Sequence, residues 1–125
     1  MLLPFTVSLQ PGRPLHDQVV FAVTKPVITG QLRAGDRFPS VRTLSQELKI
    51  NPNTAQKVIT TLVERGMLVV TPGIGTTVAA WRPAHASSGG RRALLQDRVD
   101  RLVVEAKRLG MDLSDLIDLV RREWK

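Results

Sequence analysis

Five polar side chains fall within seven residues of this chain: Asn51, Asn53, Thr54, Gln56 and Lys57, interrupted only by Pro52 and Ala55. Amides, hydroxyls and an ammonium are the groups that bond base edges and phosphates in the major groove of DNA. The Gln56 amide can engage adenine at two points, and Lys57 can reach guanine or a phosphate. Upstream, Arg42 offers a guanidinium to a phosphate or a guanine edge. Downstream, Gly73 and Gly75 let backbone approach a minor groove, and Thr71, Thr76 and Thr77 carry hydroxyls suited to phosphate contact. Asn51 and Ser40 also read as helix caps, and that is their first role whether or not they touch a ligand.

Such groups read DNA only if helices and a turn hold them in order. Pro11-Gly12-Arg13-Pro14 ends an extended lead-in, and from Leu15 the apolar positions Val19, Ala22, Val23 and Val27 keep a helical period to about Ile28, with Gly30 as the stop. Pro26 removes a donor inside that helix and predicts an irregular last turn from Ala22 to Lys25. Ser40 caps a second helix with Val41, Leu44 and Leu48 at helical spacing, running to about Lys49. Asn51 caps a third, from Pro52 to Arg65, whose stripe Ala55, Val58, Ile59, Leu62 and Val63 faces inward; Gly66 closes it. That leaves Asn53, Gln56, Lys57, Thr60 and Thr61 facing outward. The short connection between the two helices makes a helix-turn-helix. Met67–Thr71 and Thr76–Ala80 are short strand-forming segments around the tip Pro72-Gly73-Ile74-Gly75, a β-hairpin wing. A helix N-terminus carries free N–H groups and a positive dipole end, so the Asn51–Gln56 end is the one to face DNA.

The blocks Gly30–Leu44, Asn51–Lys57, Glu64–Leu68 and Pro72–Val78, in this order and at these separations, resemble the DNA-binding domain of the GntR family of bacterial transcription regulators, over about residues 8 to 80. The resemblance implies DNA contacts at Arg42, Asn51, Asn53, Thr54, Gln56 and Gly73. Some family members carry arginine where Pro52 and Gln56 stand, so their base preference does not transfer to this chain.

Residues 82–92, Arg-Pro-Ala-His-Ala-Ser-Ser-Gly-Gly-Arg-Arg, have no apolar period and read as a linker. Beyond it Leu95, Val99, Leu102, Ala106 and Leu109 form a heptad-like seam on a helix ending at Gly110. Asp112 then caps a last helix with Leu113, Leu116, Ile117, Val120 and Trp124 on one face. This tail is too short to enclose a small-molecule cavity. Its apolar faces predict a homodimer through Leu95, Val99, Leu102, Ala106, Leu109, Leu116, Ile117 and Val120; the alternative is that the hairpin folds back on its own winged domain. A C-terminal region of two helices resembles the YtrA subfamily, which implies a dimeric regulator, often of transporter genes, without an effector-binding domain.

Charge divides the same way. Up to Arg82 nine basic residues face four acidic ones, giving +5 of the chain's formal +7, and the remainder is nearly balanced. With 125 residues and 42% apolar content the chain can bury a core, and its basicity points to a polyanionic partner. No cysteine is present, which removes disulfides and thiolate chemistry. Met1–Phe5 is too short for a secretory leader and no run reaches the ~20 apolar residues of a membrane span, so the expected location is the cytoplasm and no membrane partner is expected. His16 and His85 stand alone, with neither a catalytic nor a metal role; no nucleophile–base pair, phosphate loop, cofactor or metal motif appears, and no enzyme is expected. The expected architecture is mainly α with a β-hairpin wing: a winged helix-turn-helix domain over 1–81, the linker 82–92 and a helical dimerisation region over 93–125. The expected function is a homodimeric repressor on an inverted-repeat double-stranded DNA operator, any small-molecule effector being unknown. A protein-interaction adaptor and a non-specific architectural DNA binder are the rival readings.

Overall fold

The computed structural model describes residues 3–83 and 88–124, and its contacts divide the chain into two units, 1–82 and 83–125. Unit 1 holds α1 (Leu15–Thr29), α2 (Val41–Leu48), α3 (Pro52–Glu64) and the strands β1 (Leu68–Thr71) and β2 (Gly75–Val78); unit 2 holds α4 (Ser88–Arg108) and α5 (Leu113–Glu123).

The caps set the boundaries of unit 1. Ser40 Oγ accepts from the Thr43 N–H at 3.2 Å and Asn51 Oδ1 from the Asn53 N–H at 2.7 Å, satisfying donors that a helix start leaves free. At the end of α3, Gly66 (φ 75°) reverses the chain so that its N–H reaches the Val63 carbonyl and the Met67 N–H reaches Leu62, a Schellman stop. α1 is not broken by Pro26: it continues to Thr29, with the proline ring itself buried. Pro26 thus removes a backbone donor without ending the helix, and its buried ring adds to the packing there.

The core is the meeting of three apolar stripes and the hairpin. Val19 and Val23 of α1, Leu44 of α2, and Ala55, Val58 and Leu62 of α3 are fully enclosed, with Leu68 and Val78 closing the base of the wing. The lead-in contributes more than a tether: Leu3, Phe5, Val7 and Leu9 alternate toward the core, and Phe5 stacks on Phe38 at 5.8 Å between centroids.

β1 and β2 pair antiparallel with Leu68 opposite Val78 and Thr71 opposite Gly75. Gly75 therefore belongs to β2 rather than to the loop, and the strands stop at Leu68 and Val78, not at Met67 and Ala80. The tip is a turn from Thr71 to Ile74, closed by the Ile74 N–H on the Thr71 carbonyl, with Pro72 second and Gly73 third at φ 80°, as a type II turn requires. On its other side β2 is tied to the segment before α2: the Gly35 N–H donates to the Val78 carbonyl, the Val78 N–H to Asp36 and the Phe38 N–H to Thr76, with an antiparallel bridge between Arg37 and Thr77.

In unit 2, α4 starts at Ser88, inside the stretch expected to be linker. Gly89 and Gly90 lower helix propensity by about 1 kcal/mol each but do not block the geometry, and Arg91 onward are good helix formers. Residues 84–87, including His85, lie outside the described residues. Asp112 and Asp115 form the reciprocal capping box of α5. Trp124 lies past the end of α5, in extended conformation and largely exposed, so it does not belong to that helix's apolar face. Arg108 Nε donates to Glu105 Oε2 at 3.0 Å, which holds the Glu105 carboxyl below its ordinary range.

Candidate nucleic-acid interface

At about 100° per residue, Asn53, Gln56, Lys57 and Thr60 fall on one stripe of α3, opposite Ala55, Val58, Ile59 and Leu62. The first four are exposed and the second four buried, while Val63, expected on the inward stripe, lies exposed near the end of the helix. Thr54 and Thr61 occupy the flank between, and both are half-buried. Thr61 does not face outward as the sequence reading expected. Its Oγ1 is hydrogen-bonded to His16 Nε2 at 2.8 Å, while His16 Nδ1 lies 3.1 Å from Asp17 Oδ1, so the histidine fastens α1 to α3. Gln56 Nε2 donates to Thr60 Oγ1 at 3.3 Å, a long exposed bond that a base edge can replace.

Arg42 is exposed in the first turn of α2, and neither its guanidinium nor the Lys57 ammonium has a partner among the described residues. Asn51 is exposed with its side chain already committed to the cap. On the hairpin, Gly73 and Gly75 are exposed and Thr71 and Thr76 half-buried. Val69, Val70 and Ile74 are exposed apolar side chains on the same hairpin. Among the described residues no cluster of His, Cys, Asp or Glu is arranged to hold a metal.

A groove of about 370 Å³ runs between α3 and the wing, and it brings Gln56, Gly75 and Thr76 together with Arg37, Ser40 and Ile74. Arg42, Asn51, Asn53, Lys57 and Gly73 lie outside its lining. In the sequence Arg37 stands within the Gly30–Leu44 block and in the charge count, with no site role of its own. Its placement depends on the bridge to Thr77, a pairing without sequence periodicity to announce it.

Two helices joined by a tight turn, the second with a bare polar stripe, and a hairpin beside it make a winged helix-turn-helix. The sequence matches the bacterial regulatory proteins of the gntR family over residues 15–78, just over half the chain. This chain belongs to the GntR family. It is 24% identical, over 86% of its length and 82% of the other's, to the HTH-type transcriptional repressor YtrA of Bacillus subtilis (strain 168). Its fold is similar to that of a transcriptional antiterminator from Listeria monocytogenes EGD-e, at TM-score 0.79 and 21% identity, covering 97% of this chain and 90% of that one. The DNA-binding domain of AraR, solved in complex with operator ORX1, aligns at TM-score 0.53 and 26% identity over 59% of this chain and 95% of that one. The protein is therefore a YtrA-like GntR regulator, a DNA-binding transcription factor and not an enzyme. Among the described residues no helix is long and apolar enough to cross a membrane.

Proposed function

We propose that the chain acts in the cytoplasm as a homodimeric repressor that occupies an inverted-repeat operator, α3 entering the major groove and the wing the adjacent minor groove. The observation that carries this reading is the exposed stripe Asn53, Gln56, Lys57 on α3, beside a free Arg42 and a glycine-tipped hairpin. Base readout falls to Gln56, Asn53 and Lys57. Arg42, Thr54, Thr71 and Thr76 contact phosphate or sugar, the Asn51 end of α3 points at the backbone, and Gly73 and Gly75 let the wing approach closely.

A dimer is supported by unit 2. Leu95, Val99, Leu102 and Leu109 of α4 are about half exposed, as are Ile117 and Val120 of α5 to slightly lesser degrees, whereas Leu116 is half-buried and Ala106 buried already in the single chain. That many exposed apolar side chains on a two-helix hairpin support an interface there. Two copies related by a twofold axis read a symmetric site. Repression is supported by the likeness to YtrA, and control of transporter genes by the subfamily resemblance.

Selection of bound duplexes from a random pool at physiological salt tests the reading. An enriched inverted repeat, lost with Arg42→Ala or Gln56→Ala in folded protein, is the expected result. Tight binding without enrichment would make the protein architectural, and absence of binding would favour an adaptor; a double variant that binds at full affinity would overturn the contact assignment.

A further inference from the structure

If α3 occupies a major groove and the wing the neighbouring minor groove, the sugar–phosphate strand that separates those grooves has to cross the space between α3 and the hairpin. That space is the groove lined by Arg37, Ser40, Gln56, Ile74 and Thr76. We infer that Arg37 is the phosphate clamp of this crossing strand, a DNA contact additional to those of the recognition helix; the inference rests on the winged-helix reading above.

Three observations converge on it. Arg37 is the one charged residue lining the groove, which contains no carboxylate, so a passing phosphate meets a cation and no opposing charge. The guanidinium is exposed and has no ion pair or side-chain hydrogen bond among the described residues, so binding breaks no existing pair. Its backbone is held on both sides. Arg37 bridges Thr77, the Phe38 N–H donates to Thr76 and the Val78 N–H to Asp36, so the residue sits at a fixed register beside the wing. The other polar liners, Ser40, Gln56 and Thr76, are uncharged, and Ser40 Oγ is already used in the α2 cap. A phosphate contact carries no sequence information, so Arg37 sets affinity and the register of the wing against α3 rather than base choice.

The test uses the full chain, the selected operator and a random duplex of equal length, with Kd measured across salt concentrations. Arg37→Ala is expected to weaken both duplexes by about tenfold, as loss of a hydrogen bond to a charged group does. It should also flatten the slope of log K against log salt by about 0.9 per bound protomer. Arg37→Lys should retain the slope. Arg37→Gln, neutral but similar in length, reads the same if the alanine variant loses structure. Ethylation of the crossing phosphate should weaken the wild type and leave Arg37→Ala no weaker than before. An unchanged salt slope, or a loss confined to the operator, would overturn the clamp. Should the wild type itself show no DNA binding, the winged-helix reading fails first, and that result is distinct from a wild type that binds and an Arg37 variant that matches it.

Discussion

Asn51 has two jobs that one pair of substitutions separates. In the structure its Oδ1 accepts the Asn53 N–H at 2.7 Å, and the residue is exposed at the end of α3 assigned to DNA. Asn51→Ala deletes the cap and should cost about 1 kcal/mol, which lowers the thermal midpoint of a domain of 60–100 residues by roughly 4–8 °C. Asn51→Asp keeps an acceptor in the same place. It also adds a negative charge at the positive end of the helix dipole, favourable by about 0.3–1 kcal/mol, so its midpoint should match or exceed that of the wild type. On DNA the order inverts. Asn51→Ala loses at most one neutral hydrogen bond, about 0.5–1.5 kcal/mol or up to about tenfold in Kd, whereas Asn51→Asp places an anion against the phosphates and should bind worse than Asn51→Ala. Urea and thermal melts give the first order, and salt-controlled titration of the selected operator gives the second. If Asn51→Asp melts as low as Asn51→Ala, the capping account is wrong. If it binds as tightly as wild type, the N-terminus of α3 does not face DNA.

Leu62 is completely enclosed at the centre of unit 1, and Leu62→Ala should destabilise the chain by about 3–5 kcal/mol in urea titration, enough to unfold a marginal domain. Gly66 sits at φ 75° with no atom within 4 Å of an added Cβ, so the penalty of Gly66→Ala is conformational, about 1 kcal/mol, and Gly66→Asn should recover part of it in the same melts. Leu102→Glu puts a charge into the exposed seam of α4 and, on the proposed dimer, should move sedimentation from dimer to monomer while leaving helix content unchanged; an unaltered mass would count against Leu102 in that interface. Because the Glu105 carboxyl is held below its ordinary range by Arg108, whatever stability that exposed pair contributes is present above the unfolded carboxylate range. It is lost as pH falls through the lowered value, and Glu105→Gln should remove that acid-side dependence.

Much of unit 1 was legible because local chemistry specifies it. Ser40 and Asn51 cap because each carries a short side-chain acceptor at a helix start, Gly30 and Gly66 stop helices because they tolerate positive φ, and the 3.6-residue period of Ala55, Val58, Ile59 and Leu62 sets which side of α3 is buried and therefore which polar groups remain outside. In unit 2 the Asp112–Asp115 box and Gly110 fixed the turn between helices for the same reason.

The pairings between distant segments were decided by tertiary structure alone. Thr61 lies close enough to the polar stripe that periodicity counts it as exposed, yet His16, forty-five residues earlier, claims it. Pro26 stands inside α1 with its ring buried, packing that no local rule supplies. Phe5 enters the core by stacking on Phe38, and Arg37 reaches the groove beside the wing because Asp36–Phe38 attach to the free edge of β2. Sequence determined the elements, their order and the side chains each presents, since those depend on neighbours within a turn or two. Which presented groups stayed free for DNA depended on contacts across the fold, whose energies are settled only when the segments meet.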